Sequence, residues 1–185
     1  MWLEVTVFTT NVLYILFLAL QKRVGWVFGI IGSALFVWSN IEQQLYMDAS
    51  LNFYYVLAGL YGWWLWGREG KEGLSISKLP GWWILWITVL SILLISVFGI
   101  MLHQYTHSNI SYLDATVTIL SFIATWLAAR KVIENWLLWL IADPLAIWLY
   151  LLKGDKLYAA LFLLYTGMAA YGYYHWRKQM NQYAA

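Results

Sequence analysis

Seven apolar stretches follow one another with short connections: Trp2 to Leu20, Val24 to Ile41, Met47 to Trp66, Gly81 to Met101, Tyr112 to Ala129, Val132 to Leu151 and Leu157 to His175. As helices rising about 1.5 Å per residue, each comes close to the ~30 Å hydrocarbon thickness of a bilayer. Membrane-spanning strands would be about half that length, and lipid tolerates no other backbone state. The expectation is an all-α polytopic membrane protein with seven transmembrane helices. At 63% hydrophobic and 11% charged, 185 residues hold too little charge to cover a soluble domain. The absence of cysteine removes disulfides and thiolate metal sites, and a net charge of +2 is too small to indicate nucleic acid. The N-terminus lacks the basic start of a signal peptide, so its first stretch is expected to be the first helix.

Seven spans alternate sides. One side holds the N-terminus and the loops after spans two, four and six, with only Lys153 and Lys156 as basic residues. The other collects Lys22, Arg23, Arg68, Lys71, Lys78, Arg130, Lys131, Arg177 and Lys178. The positive-inside bias then puts the N-terminus outside and the C-terminus in the cytoplasm.

The halves repeat. A shift of 110 residues pairs Thr6 with Thr116, Ala19 with Ala129, Trp26 with Trp136, Trp38 with Trp148, Tyr55 with Tyr165, Gly62 with Gly172 and Trp66 with Trp176. Shared apolar composition gives chance Leu and Val matches, but not three Trp pairs and two YGxxxW endings in register. The chain therefore divides into a first three-helix repeat (1–66), a loop and linker helix (67–110), a second repeat (111–176) and a cytoplasmic tail (177–185). Span five enters the membrane in the same direction as span one, so the repeats are parallel, an arrangement used by carriers with a central site at the repeat interface.

The sixth stretch carries Asp143 at its midpoint, followed by Pro144. A carboxylate at that depth is costly unless it faces a polar cavity, a partner or a cation, and no Lys or Arg lies inside any span to pair with it. Trp136, Trp139 and Asp143 are spaced i, i+3, i+7 and share a helix face, so two indoles adjoin the acid, suited to an aromatic solute or a cation. The structural alternatives are that Asp143, protonated, caps carbonyls freed by Pro144, and that Trp136 is an interfacial belt residue. Trp26 mirrors Trp136, while Gly29 mirrors Trp139 and Ser33 mirrors Asp143, which makes the expected cavity asymmetric.

Glu134 and Asn135 open the same helix; there a carboxylate complements the helix dipole or contacts solute. Asn40, Gln43 and Gln44 cluster at the outer end of span two, with Asp48 and Asn52 opening span three. These side chains are suited to the hydroxyls of a solute or to an outer mouth. Thr118, Ser121 and Asn11 are weaker polar intrusions, and Asp114 and Glu4 lie near the outer surface. His103 and His107 have no carboxylate at ligand spacing and make no metal site. With no nucleotide-binding loop and no nucleophile, base and orienter set, a transporter without a cofactor is expected rather than an enzyme.

The ENW and WLLWLIADP run, with the YGYYHWRK ending, is similar to the PnuC family of vitamin transporters. The resemblance covers nearly all of the chain and is strongest from Leu113 to Lys178. It implies a SWEET-like bundle of two parallel three-helix repeats around span four, a homotrimer in the bacterial inner membrane, and facilitated diffusion of nicotinamide riboside. Uptake is then made useful by a cytoplasmic kinase that traps the product. The family signature W-x-x-W-x-x-x-N falls on Trp136, Trp139 and position 143, where this chain has aspartate instead of asparagine. An acid suits a fixed cation, which nicotinamide riboside and thiamine carry and riboflavin and deoxynucleosides do not. Thiamine is the alternative solute. A substrate-binding membrane component of an ATP-driven importer is a further alternative, and a purely structural bundle is a third.

Overall fold

The structure, a computed structural model, describes residues 2–42, 44, 46–68, 75–106 and 109–183. Seven helices hold most of them: α1 (Trp2–Ala19), α2 (Val24–Glu42), α3 (Tyr46–Trp66), α4 (Gly81–Thr106), α5 (Ser111–Ala129), α6 (Glu134–Leu152) and α7 (Lys156–Tyr183). The fold is all-α. Four helices, α2, α4, α5 and α6, are long and apolar enough to cross a membrane, and α1 contributes a shorter apolar run, Val5–Ala19. In α3 and α7 the Tyr and Trp content lowers hydropathy, although these residues favour the membrane interface.

The helices begin and end within a few residues of the apolar stretches, with three differences. α7 runs on to Tyr183, so the tail expected from residue 177 is helical as far as it is described; Arg177, Lys178, Gln179 and Met180 are good helix formers with no breaker among them. α4 extends to Thr106. α6 starts at Glu134 rather than Val132, because Val132 is held in a parallel bridge with Ser77. There the Ser77 N–H donates to the Lys131 carbonyl and the Ile133 N–H to the Ser77 carbonyl, both at 3.0 Å.

The surface is apolar and part of the interior polar, as suits a protein solvated by lipid. Leu85, Trp86, Leu93 and Leu163 point outward, whereas Ser121, Thr125, Asn135 and Asp143 are buried. Ala124, Ala128, Ala142, Ala146 and Ala169 are almost fully enclosed. Small side chains allow close helix approach in lipid, where no hydrophobic effect drives helices together.

α2 packs on α1 and α3, and α6 packs on α5 and α7. The two groups meet where α1 contacts α7 and where α3 contacts α5, while α4 packs on α5. Among the described residues, left-handed backbone occurs at Gln21 (φ 54°), Gln44 (φ 59°), Lys131 (φ 52°) and Gly154 (φ 78°). Lys131 stands 110 residues after Gln21, and Gly154 stands 110 after Gln44. The turns close alike: Lys22 N–H donates to the Phe17 carbonyl at 2.7 Å and Val132 N–H to Leu127 at 3.0 Å, the six-to-one bond of a left-handed helix cap.

The core follows the same spacing. Trp66 meets Trp26 edge to face at 5.6 Å and 88°, and Trp176 meets Trp136 at 5.5 Å and 88°. Each of the later indoles crosses to the other group: Trp66 Nε1 donates to the Ala129 carbonyl at 3.0 Å and Trp176 Nε1 to the Ala19 carbonyl at 3.1 Å. These bonds satisfy carbonyls left over at the ends of α5 and α1. Trp66 and Trp176 lie 6.1 Å apart between the groups. The C-terminal ends of α1, α3 and α5 and the Trp176 turn of α7 therefore gather at one end of the bundle.

Candidate functional site

Asp143 is the tenth of the 19 residues of α6 and is 2% exposed. Its Oδ1 has no hydrogen-bond partner. The helix continues through Pro144, which has no N–H to offer the Leu140 carbonyl one turn back. Leaving a buried polar atom unpaired costs roughly 1–3 kcal/mol, and more for a charged group, so an orphan acid in mid-helix is the strongest local mark of a site. Tyr165, on α7, is near enough to Asp143 to interact with it electrostatically, and its hydroxyl is also buried without a partner.

An aromatic wall surrounds this region. Tyr150 stacks on Phe162 at 5.4 Å and on Tyr158 at 5.0 Å, and Phe162 meets Tyr165 edge to face at 5.5 Å. From the other three-helix group, the Tyr54 hydroxyl donates to the Phe122 carbonyl at 3.2 Å, and Tyr55 hydrogen-bonds the Ser121 side chain. Sequence reading passed over these tyrosines as interfacial. The available signal was that Tyr55 and Tyr165 are repeat mates near the middle of long helices, not at their ends.

The other expected site residues are spread through the bundle. Trp26 and Trp136 are 1% and 2% exposed, inside the core cluster. Each lies against a glycine: a Cβ on Gly62 would come within 2.5 Å of Trp26, and one on Gly172 within 2.6 Å of Trp136. Trp139 is partly buried and packs against that cluster from outside it. Asn135 is fully buried and uses its Nδ2 to hold the Val132 carbonyl at 2.6 Å, which closes the α5–α6 turn. Thr118 is half-buried in α5. Asn40 sits in the last turn of α2, Gln44 is exposed in the turn after it, and Asn52 is half-buried in α3. Gln43 and His107 lie outside the described residues.

Glu134 has a definite structural role. Its Oε2 accepts from the Leu79 backbone N–H at 3.1 Å, tying the segment before α4 to the start of α6 beside the Ser77 bridge. Glu134→Ala is expected to cost about 1 kcal/mol, the worth of one half-exposed hydrogen bond to a carboxylate. Limited proteolysis should then cut between residues 75 and 80 faster than in the wild type.

The basic residues cap aromatic rings at one end of the bundle. Arg23 lies 3.7 Å from the Trp63 ring centre, Arg68 3.6 Å from Trp64, Arg130 4.6 Å from Trp126 and Lys131 4.8 Å from Trp66. At the other end, Lys153 bridges to Asp114 at 3.0 Å. Cations over rings at the end of an apolar bundle suit a membrane surface. An open groove of about 460 Å³ runs along the α1/α7 seam, lined by Leu16, Leu163, Leu164, Gly167, Met168 and Tyr171 among others. It is apolar and lies apart from the Asp143 chemistry. At the α3/α5 seam the repeat mates of Leu16 and Tyr171, Trp126 and Tyr61, stack at 5.4 Å and 7° and fill the equivalent space.

The sequence profile of the nicotinamide mononucleotide transporter family matches residues 1–178. The chain belongs to this family. The nicotinamide riboside transporter PnuC of Escherichia coli (strain K12) is 26% identical over 204 residues, 95% of this chain and 84% of that protein. The protein of the same name from Neisseria mucosa is 25% identical over 198 residues, 99% of this chain and 74% of its own length. A solved structure described as the crystal structure of the Vitamin B3 transporter PnuC superposes with a TM-score of 0.78 at 24% identity, covering 98% of this chain and 83% of that one. The family's fold is therefore this fold, and the family is one of transporters rather than enzymes.

Proposed function

We propose that this protein carries nicotinamide riboside into the cell by facilitated diffusion, with Asp143 at the centre of the solute site. The observation that carries the reading is a mid-helix acid with an unpartnered oxygen in the interior of a transporter-family bundle. In this proposal all seven helices span a bacterial inner membrane with the N-terminus outside, as parallel repeats 1–66 and 111–176 joined by the linker helix, in a homotrimer. The reading is supported by the left-handed turns and Trp pairs that recur at 110 residues, and by the basic residues gathered at one end. Trp139 supplies the ring platform beside the acid, with Trp136 and Trp26 packed behind as its rigid support. Asn40, Gln43, Gln44 and Asn52 form the outer mouth, and Thr118 lines the path.

The same charge arrangement sets direction. Asp143 attracts a fixed pyridinium, whereas the helices hold no basic residue in their middle turns to receive a phosphate. A phosphorylated solute is thus refused from either side, and a cytoplasmic kinase traps what enters. Purified protein in kinase-free liposomes is expected to equilibrate labelled nicotinamide riboside across the membrane without concentrating it. Excess nicotinamide mononucleotide should compete at least tenfold less well than unlabelled riboside. Accumulation against a gradient would contradict diffusion, and no uptake by the protein alone would point to an ATP-driven partner. Thiamine is the second solute to assay, because its amino-pyrimidine suits the acid that stands at position 143.

A further inference from the structure

We infer that Tyr165 is a second specificity-determining residue of the carrier, and that with Asp143 it recognises adjacent hydroxyls on the solute's sugar. This rests on the solute site proposed at Asp143. The argument comes from comparing two tyrosines that the duplication makes equivalent. Tyr55 on α3 has a partner for its hydroxyl, the Ser121 side chain on α5, so its polar group is consumed in holding the two groups of helices together. The repeat mate of Ser121 is Asn11 on α1, which could have served Tyr165 in the same way. It does not: the Tyr165 hydroxyl is buried with no hydrogen-bond partner.

The neighbour that Tyr165 does have is the acid without a repeat mate of its kind, since Ser33 occupies the position equivalent to Asp143. Two buried polar groups within electrostatic reach, each lacking a partner, are far rarer than one and point to a shared ligand. Their chemistry is complementary. A carboxylate oxygen only accepts, whereas a phenol hydroxyl can donate. A vicinal diol satisfies both at once, one hydroxyl donating to Asp143 Oδ1 and its neighbour accepting from Tyr165. The ring of Phe162, edge-on to Tyr165 at 5.5 Å, fixes the direction of the phenol.

Tyr165→Phe removes the hydroxyl and keeps the ring. Two measurements test the inference: thermal unfolding of the empty protein, and calorimetric binding of nicotinamide riboside and of its 2′-deoxy and 3′-deoxy analogues. The empty variant should melt no lower than the wild type, because an orphan hydroxyl contributes nothing to the unliganded fold, whereas Tyr55→Phe should melt lower. Affinity for the riboside should fall roughly five- to tenfold, the worth of one hydrogen bond. The wild type should lose a similar factor on one of the deoxy analogues, and Tyr165→Phe should no longer distinguish that analogue from the riboside. A lowered melting temperature matching that of Tyr55→Phe would show that the hydroxyl serves the fold and would overturn the inference. So would unchanged riboside affinity, or an undiminished preference for the diol, while the Asp143 site stands. If the wild type binds no riboside, the functional reading itself fails and the inference falls with it.

Discussion

Gly172→Ala is expected to lower the stability of the detergent-purified protein by about 3 kcal/mol, the upper end of what overpacking a rigid core costs. The added carbon would lie 2.6 Å from the Trp136 ring, closer than any real Cβ contact. The ring has nowhere to go, because Trp176 stands edge-on to it at 5.5 Å and is itself tied to the Ala19 carbonyl. Gly62→Ala should cost nearly as much, since its Cβ would meet Trp26 at 2.5 Å in the equivalent setting. The control is Gly167→Ala, five residues before Gly172 on the same helix. Nothing lies within 4 Å of its added carbon, so it should keep or gain up to ~1 kcal/mol through helix propensity alone. Thermal unfolding of the three variants separates close packing from helix preference, and an unchanged melting temperature in Gly172→Ala would refute the glycine–indole contact.

The helices were legible because lipid leaves a chain little choice: stretches as apolar as Gly81 to Met101 or Tyr112 to Ala129 must be helical, and their ends were placed to within a few residues. The duplication was legible for a related reason. Gly62, Trp66 and their mates form contacts in which neither partner can change size alone, so their spacing survives where ordinary Leu positions drift. Asp143 stood out as the costliest residue in the chain to bury. What the sequence did not disclose was how each side chain is used. Trp136 and Trp139 share a face by spacing, yet the first is sealed in the core and the second packs against it from outside. Glu134 reads equally well as a dipole partner or a solute ligand until Leu79, 55 residues earlier, is found donating to it. Tyr165 was hidden among 14 tyrosines, because the distinction between an anchoring phenol and an orphan one lies in contacts across helices rather than in its neighbours along the chain.

The asymmetry between the two halves follows from the same comparison. Positions that hold the bundle together are matched, including Trp26 with Trp136, Trp66 with Trp176 and the left-handed turns. Positions that face the proposed solute are not: Ser33 stands against Asp143, and Gly29 against Trp139. A duplicated bundle supplies a symmetric frame, but a vitamin precursor with a charged ring at one end and a sugar at the other is not symmetric. One half has therefore kept the small residues and the other carries the recognition.

Asp143→Ala is expected to weaken nicotinamide riboside binding roughly 10- to 100-fold, corresponding to one charged hydrogen bond worth about 1.5–3 kcal/mol. The empty variant should be no less stable, since the group removed is a buried carboxyl whose Oδ1 has no protein partner. Asp143→Asn separates charge from shape. It keeps an acceptor in the same place, so any further loss of affinity measures the attraction between the acid and the pyridinium. The deciding measurement is a calorimetric titration of nicotinamide riboside into the purified wild type and into Asp143→Ala under one buffer condition. Saturable binding by the wild type, at least tenfold weaker in the variant, is the expected result; equal affinity in both would contradict a solute site at Asp143.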